Sequence, residues 1–482
     1  MSLSKIIKII IPVVFVVAGI HLLDYYQVFP IGKPVLLVLR LATIGLLTWY
    51  GFRKANLTTW ILLSMVIGTE IGVDAPAFAA NLDIFSKIFL NLIKTAIAPL
   101  LFGTLVVGIA GHGNIRQVGR MGVKALIYFE VATTIALFIG LAAINISQAG
   151  VGIKSKETAL SQPAQFPVDK LTASVDSVKN TVKLLYHGKE LSAPAPVVKQ
   201  DWKQIVLHSF PENISKMIYD GMVLQIVVFS MLFGFGLTYV EEKHRVRMLS
   251  FAESLSEVMF KFVHIIMYIA PFAVGGAIAS TIGTMGIEVV SNLLQLLSTL
   301  YVALIAFIIL VFIPVMLFAK IPIRKFFAAV YEPASLAFAT ASSEAALPKA
   351  MLAMEKFGVP RKIVSFVLPT GYSFNLDGST LYLSLAAVFC AQAAGIHLDW
   401  STQIFICLTL MLTSKGVAGV PRASLVILAG TVAQFGIPEW PIAVILGIDA
   451  LMDMGRTCVN LMGNCLASAV VAKWEGEFDE NA

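Results

Sequence analysis

The sequence predicts an all-α polytopic membrane protein, and three observations carry that prediction. Hydrophobic residues make up 58% of the chain and charged residues only 13%, about half the charged share of an average soluble domain. The mean hydropathy is +0.84. The apolar runs are long and continuous, unlike the short alternating segments of an outer-membrane barrel, so lipid has to cover the surplus.

Charge placement supports the same class. A net charge of +6 would suit an anionic polymer, but the basic residues stand in short clusters between apolar runs: Arg53-Lys54, Arg116 to Lys124, Lys243 to Arg247, Arg324-Lys325 and Arg361-Lys362. That is the pattern of cytoplasmic loops, and it argues against nucleic acid as a partner. The four cysteines lie in apolar stretches without CxxC spacing and read as small buried hydrophobes. The seven histidines form no HExxH pair. No nucleophile–base set is assembled, so the sequence gives no reason to expect an enzyme or a bound cofactor.

In chain order, Lys5 and Lys8 precede an apolar run to Leu23. No small-residue cleavage site follows it directly, so it reads as a retained membrane segment. Spans are expected near 6–26, 34–52, 57–73, 83–111, 118–146, 213–240, 251–283 and 291–319. Lys5, Lys8 and Arg53-Lys54 put both ends of the first pair inside, which makes it a hairpin despite the contrary sign of Lys33 and Arg40. Residues 147–210 shift to Lys, Ser, Gln and Pro. They are expected to form an extramembranous loop, with Asp201-Trp202-Lys203 able to lie at the interface.

After residue 320 the apolar segments 326–355, 362–394, 401–434 and 437–472 are interrupted by glycine, proline and polar clusters. Irregular backbone inside a membrane is tolerated where it lines a site. Ala341 to Pro348 breaks one segment, and Gly416 to Ser424 breaks another about 75 residues later. Each break is followed by a long segment with a polar centre, Asn375 to Ser379 and then Asp449 to Asn464. Two hairpin-plus-helix units in matching order are the sequence mark of a pseudo-symmetric midplane site. The expected division is 1–52 (an extra membrane hairpin), 53–146 (three helices), 147–210 (loop), 211–320 (three helices), 321–475 (binding core) and 476–482 (tail).

The last segment carries the chemistry. Arg456 sits 16 residues after Trp440 and 17 before Lys473, which places it near mid-membrane. Asp449, Asp453, Arg456, Asn460 and Asn464 are spaced 4, 3, 4 and 4, so they share one helical face. Each charge at the bilayer centre costs about 2.5–3.5 kcal/mol even on insertion scales. One reading is an internal Asp453–Arg456 bridge between helices. A ligand cavity fits better, since a purely structural pair is replaceable by apolar residues at little loss.

The planar fork of Arg456 suits a carboxylate, and Asp453 one turn away suits an ammonium. Hairpin tips supply N–H groups and hydroxyls such as Ser343 for a second carboxylate. Glutamate and aspartate carry that combination. Asn375 and Asp377, in a Gly-containing break, form a second polar centre able to hold a hard cation such as Na⁺. A helix-break cap is the alternative reading of that pair.

Taken together, the serine-bearing break at Ala341 to Pro348, Asn375-Leu376-Asp377-Gly378-Ser379, Gly416 to Pro421 and Asp453-Met454-Gly455-Arg456-Thr457 resemble one family. It is the dicarboxylate/amino acid:cation symporters, or glutamate transporter family, over about residues 57 to 475. Pro-Thr-Gly-Tyr-Ser-Phe at 369–374 and Lys-Gly-Val-Ala-Gly-Val-Pro-Arg at 415–422 are most similar to its bacterial proton-linked glutamate and C4-dicarboxylate members.

The resemblance implies eight core helices plus two re-entrant helical hairpins in inverted repeats, with residues 1–52 as an addition. It implies a homotrimer in the inner membrane in which a transport domain slides past a rigid scaffold. Arg456 would then bind the side-chain carboxylate and Asp453 the amino group, with Ser342, Ser343, Ser379, Asn460 and the backbone at Val420 completing the site. A serine stands at the position of Asp453 in C4-dicarboxylate members, which favours an amino acid as substrate.

For the coupling ion the resemblance points to Gly371, Asn375, Asp377, Ser414, Asn460, Asn464, Thr133 and Glu130. Two departures weaken sodium: Asn464 replaces an aspartate, and Phe129 and Ala132 replace a tyrosine and a threonine. Glu130 and Glu344 are expected as buried carboxyls able to carry protons. Proton coupling is favoured and sodium stays open. A rival reading, an anion channel with Arg456 as its selectivity charge, suits the mixed acids on the same helical face poorly.

Overall fold

The computed structural model describes residues 32–54, 56–110, 117–153, 171–176, 181–186, 189–191, 210–219, 222–414 and 423–480, with short pieces between 12 and 20. Apart from those pieces, the predicted span at 6–26 lies outside the described residues, as do the interface stretch Asp201 to Lys203 and the second polar break with Val420.

Helix α1 (Lys33–Lys54) runs into α2 (Leu57–Asp74), whose first turn is capped by Asn56 accepting from the Thr59 N–H. Two short turns lead into α3 (Asp83–Ala110), and α4 spans Gln117–Ser147. Next come α5 (Val223–Thr238), α6 (Glu242–Met267) and α7 (Ala270–Met285). The expected span 251–283 is thus two helices, bent by 51° at their junction. Helix α8 (Val289–Phe307) continues through a π turn at Ile308–Phe312 to Phe318. Among the described residues, six helical stretches are long and apolar enough to cross a membrane, or seven with the bent pair counted as one.

One stretch departs from the all-α expectation. Within 147–210, strands β1 (Leu171–Asp176), β2 (Thr181–Tyr186) and β3 (Lys189–Leu191) form an antiparallel meander, with Leu171 opposite Tyr186 and Leu184 opposite Leu191. Antiparallel strands can pair with only about two to four residues between them, so a polar loop can carry a small sheet without long apolar runs.

The segments after 320 break where the sequence is polar. Helices α9 (Ile323–Thr340) and α10 (Ser343–Lys356) meet at Ala341, which takes φ 49°, and at Ser342, whose side chain accepts from Ala345 N–H. Helices α11 (Arg361–Phe374) and α12 (Asp377–Ala393) are separated by Asn375 and Leu376. The second unit repeats this order. Helices α13 (Trp400–Thr413) and α14 (Ala423–Gln434) precede α15 (Trp440–Leu446) and α16 (Asp449–Glu475), parted at Gly447 and Ile448. The last segment is therefore broken rather than continuous, and Asp449 stands in the first turn of α16, where the helix dipole favours an acid.

Close backbone approach joins these helices. A Cβ on Gly68 or Gly72 of α2 would collide with the carbonyls of Gly275 or Ala279 on α7, the small-residue packing that membrane helices use in place of a hydrophobic driving force. Gly140 lets α4 lie against the Leu381 carbonyl of α12, where Ser384 donates to the Leu137 carbonyl at 2.8 Å. Nearly every residue of α12 and the first six turns of α16 are buried. Helix α1 is the opposite case, with Val35, Val38, Leu41 and Phe52 exposed as lipid contact requires. Arg40, whose sign conflicted with the hairpin topology, pairs with Glu70 at 3.1 Å and Asp74 at 3.0 Å on α2.

Candidate functional site

The acidic and basic side chains expected on one helical face do converge. The Arg456 Nη2 donates to Asp453 Oδ1 at 2.8 Å and to Asp449 Oδ1 at 3.1 Å, with Arg456 and Asp449 wholly buried. The guanidinium carbon lies 3.9 Å from the ring centroid of Tyr382, within the range of a desolvated cation–π contact. Arg456 Nε and Nη1 make no hydrogen bond among the described residues. Each edge of the fork that takes a carboxylate bidentately includes Nη2, so a ligand carboxylate that used Nε or Nη1 in this way would displace one of the two aspartates from Nη2.

One turn further along, Asn460 joins α16 to the break before α12. Its Oδ1 accepts from the Gly378 N–H at 2.8 Å and the Ser379 N–H at 3.2 Å, while its Nδ2 donates to Ser379 Oγ at 3.0 Å. Two orphan donors of a helix N-terminus are thereby satisfied by a side chain from another helix.

The second centre is equally dry. Asn375, Asp377 and Asn464 are fully buried, and the Asn375 Nδ2 donates to Asp377 Oδ2 at 3.2 Å and to Asn464 Oδ1 at 3.0 Å. Gly371 and Gly463 make room for it, because a Cβ at either would overlap Asn464 Oδ1 or Asp377 Oδ2 respectively. Asn375 Oδ1 and the Tyr128 hydroxyl lack a hydrogen-bond partner among the described residues, and Tyr128 lies within electrostatic range of Asp377. Buried oxygens beside a carboxylate are the donor set of a small hard cation.

Other expected members are placed differently. Ser342 and Ser343 sit at the first hairpin tip, where the Tyr372 hydroxyl donates to the Ser343 carbonyl at 3.2 Å. The Ser414 hydroxyl donates to the Met411 carbonyl at 3.3 Å. The Thr133 hydroxyl donates back to the Phe129 carbonyl at 2.7 Å along its own helix. Two carboxyls expected to be buried are not. Glu130 faces outward from α4, and Glu344 lies exposed on the wall of a cavity. A hydrophobic helix has a lipid face as well as a packed one, and apolar neighbours in sequence do not say which face a residue takes.

Tyr382 and Tyr128 were missed. Tyr382 lies one turn beyond Ser379 on the same face of α12 and Tyr128 directly precedes Phe129, so spacing from residues already singled out could have flagged both.

The chain matches the model of the sodium:dicarboxylate symporter family over residues 57–474. It is 39% identical over 429 residues to the proton/sodium-glutamate symport protein of Bacillus subtilis (strain 168), covering 88% of this chain and 94% of that one. It is 38% identical over 434 residues to the proton/glutamate-aspartate symporter of Escherichia coli (strain K12), covering 88% and 94%. Identity to the C4-dicarboxylate transport protein of Bacillus subtilis (strain 168) is 36% over 429 residues, covering 88% and 95%. Fold and family together make this a multi-pass integral membrane protein of the transporter class, not an enzyme. The chain belongs to the sodium:dicarboxylate symporter family.

Proposed function

We propose that this protein is a secondary active symporter for the acidic amino acids glutamate and aspartate, driven by protons, with sodium as the alternative coupling ion. The observation that carries the reading is the buried Arg456 guanidinium, held between Asp449 and Asp453 with the Tyr382 ring against it. A dicarboxylate alone needs only the arginine. The further acid at 453 suits an ammonium group beside it, which favours amino acids over succinate or fumarate.

In this reading Arg456 takes the distal carboxylate, Asp453 exchanges its bond to Arg456 for the substrate ammonium, and Ser342, Ser343, Ser379, Asn460 and the backbone at Val420 hold the second carboxylate. The cation goes to Asn375 and Asp377, with Tyr128 as an added oxygen and Gly371, Ser414, Thr133 and Asn464 around it. Asn460 stands one turn from Arg456 and one turn from Asn464 on α16 and accepts from the Gly378 and Ser379 amides beside Asp377, which supports a short mechanical link between ion and substrate.

The helix–break–helix units from 323 to 475 are read as two re-entrant hairpins, each followed by a broken span, in inverted repeat. They move as one body past the remaining helices in a homotrimer, an elevator-type alternation of access.

The test is uptake of labelled glutamate, aspartate and succinate into proteoliposomes under separate proton and sodium gradients. Glutamate or aspartate uptake driven by a proton gradient is expected. Succinate uptake without glutamate uptake would overturn the amino-acid assignment, and uptake driven only by sodium would overturn proton coupling.

A further inference from the structure

A cavity of about 550 Å³ lies between the first hairpin tip, Asp453 and helix α6, within the size range of small-molecule sites. Ser342 and Glu344 of the tip and Asp453 of the arginine site form one wall. The opposite wall is α6, which presents Glu257, Lys261 and His264. Their spacing of 4 and 3 puts these three on one helical face, while Ala252 and Ser256 of α6 pack close to Gly103 of α3. The charged face of α6 is therefore turned towards the hairpin, not to lipid.

The charges are unevenly shared. Glu257, Glu344 and Asp453 are acids, and Lys261 and His264 are the two basic side chains among the described lining residues. Glu344 lies within electrostatic range of Glu257, Lys261 and His264. No ion pair within hydrogen-bonding distance joins Lys261 to either glutamate among the described residues. An ammonium on a membrane helix is costly unless it serves a partner or a pathway.

We propose that Lys261 and His264 form a second carboxylate subsite, borne by α6, for an anionic substrate passing between the cavity and Arg456. The inference rests on the transport reading above, since the ligand is the same acidic amino acid or dicarboxylate. A carboxylate leaving Arg456 through this cavity passes Asp453, Glu344 and Glu257, all of its own sign. Lys261 offsets that repulsion on the far wall, and the His264 imidazole offers a hydrogen-bond donor beside it. The subsite lowers the barrier for entry and exit, so its effect falls on rates rather than on equilibrium affinity at Arg456.

The experiment compares Lys261→Met, Lys261→Arg and His264→Gln in the full chain. L-Glutamate and succinate binding is measured by calorimetry in detergent, and uptake kinetics in proteoliposomes. For Lys261→Met, uptake kcat/KM should fall by about tenfold or more while the detergent Kd moves by less than about twofold. Lys261→Arg should recover most of the uptake, and His264→Gln should show a smaller loss of the same kind. Unchanged uptake in Lys261→Met would overturn the subsite. So would equal losses of binding and uptake that arginine does not restore, because they would mark a structural role. If the unmodified protein neither binds nor takes up an acidic substrate, the transport reading fails and this inference falls with it.

Discussion

Gly463→Ala tests the proposed cation role of the buried Asn375–Asp377 centre with a single methyl group. The Cβ it adds would sit well inside 3.0 Å of Asp377 Oδ2, and at 3.2 Å from both Asn375 Nδ2 and Phe312 Cζ. Asp377 is fully buried at the start of α12 and cannot swing into open space. Either the carboxylate moves and its 3.2 Å bond from Asn375 is lost, or α16 shifts. Overpacking of this kind costs about 1–3 kcal/mol, and the lost bond to a charged group adds about 1.5–3 kcal/mol.

An added strain of about 2 kcal/mol on the cation-bound form is roughly a thirtyfold loss of cation affinity. The assay is substrate uptake and binding as a function of coupling-ion concentration, proton and sodium varied separately. The half-saturating ion concentration should rise by at least about tenfold. Gly236→Ala, on α5 where the added Cβ meets nothing within 4 Å, is the control. It should be neutral or stabilise by about 0.5–1 kcal/mol. Unaltered ion dependence in Gly463→Ala would refute the placement of the cation at Asp377.

Three further outcomes are expected. Tyr382→Phe keeps the ring against Arg456 and should leave glutamate affinity within about threefold, whereas Tyr382→Leu removes a contact worth about 2 kcal/mol and should weaken binding by more than about tenfold; equal effects in calorimetry would exclude the ring contact. Asn460→Ala leaves the buried Gly378 and Ser379 amides without their acceptor at about 1–3 kcal/mol each. It should lower the melting temperature and uptake together, and an unshifted melting curve would contradict the role given to Asn460. Arg40→Ala removes the cation that faces the largely buried Glu70 and the partly exposed Asp74 and should cost about 1–3 kcal/mol, with uptake retained; loss of transport would give α1 a part in the cycle.

The polar face of α16 was legible because 3.6-residue periodicity is a local property: Asp449, Asp453, Arg456 and Asn460 declare their common side without reference to any other helix. The breaks at Ala341 and Asn375 were legible for the same reason, being written in glycine and short polar residues. What stayed hidden depends on distant partners. Nothing near Gly463 in sequence announces Asp377, 86 positions earlier, and Tyr382 in a run of leucine and alanine looks like ordinary core until Arg456 is brought against it. Glu130 failed in the opposite direction, since burial was inferred from neighbours that face lipid. The β meander at 171–191 was invisible because its strands are short and sit in a stretch dominated by Lys, Ser, Gln and Pro.

The buried ionisable groups also constrain what can travel with them. Asp377, Asp449 and Asp453 set three carboxylates against the single guanidinium of Arg456, an excess of two negative charges when all are ionised. A zwitterionic acidic amino acid adds one more. The self-energy of moving a charged body through a low-dielectric layer grows with the square of its net charge, so an uncompensated load would be the slowest to cross. Each proton or sodium ion bound at the proposed site beside Asp377 would cancel one unit. On the proposed elevator reading, symport is then the expected consequence of electroneutrality: a domain that carries an acidic substrate across would cross most easily with its charge nearly balanced by cations.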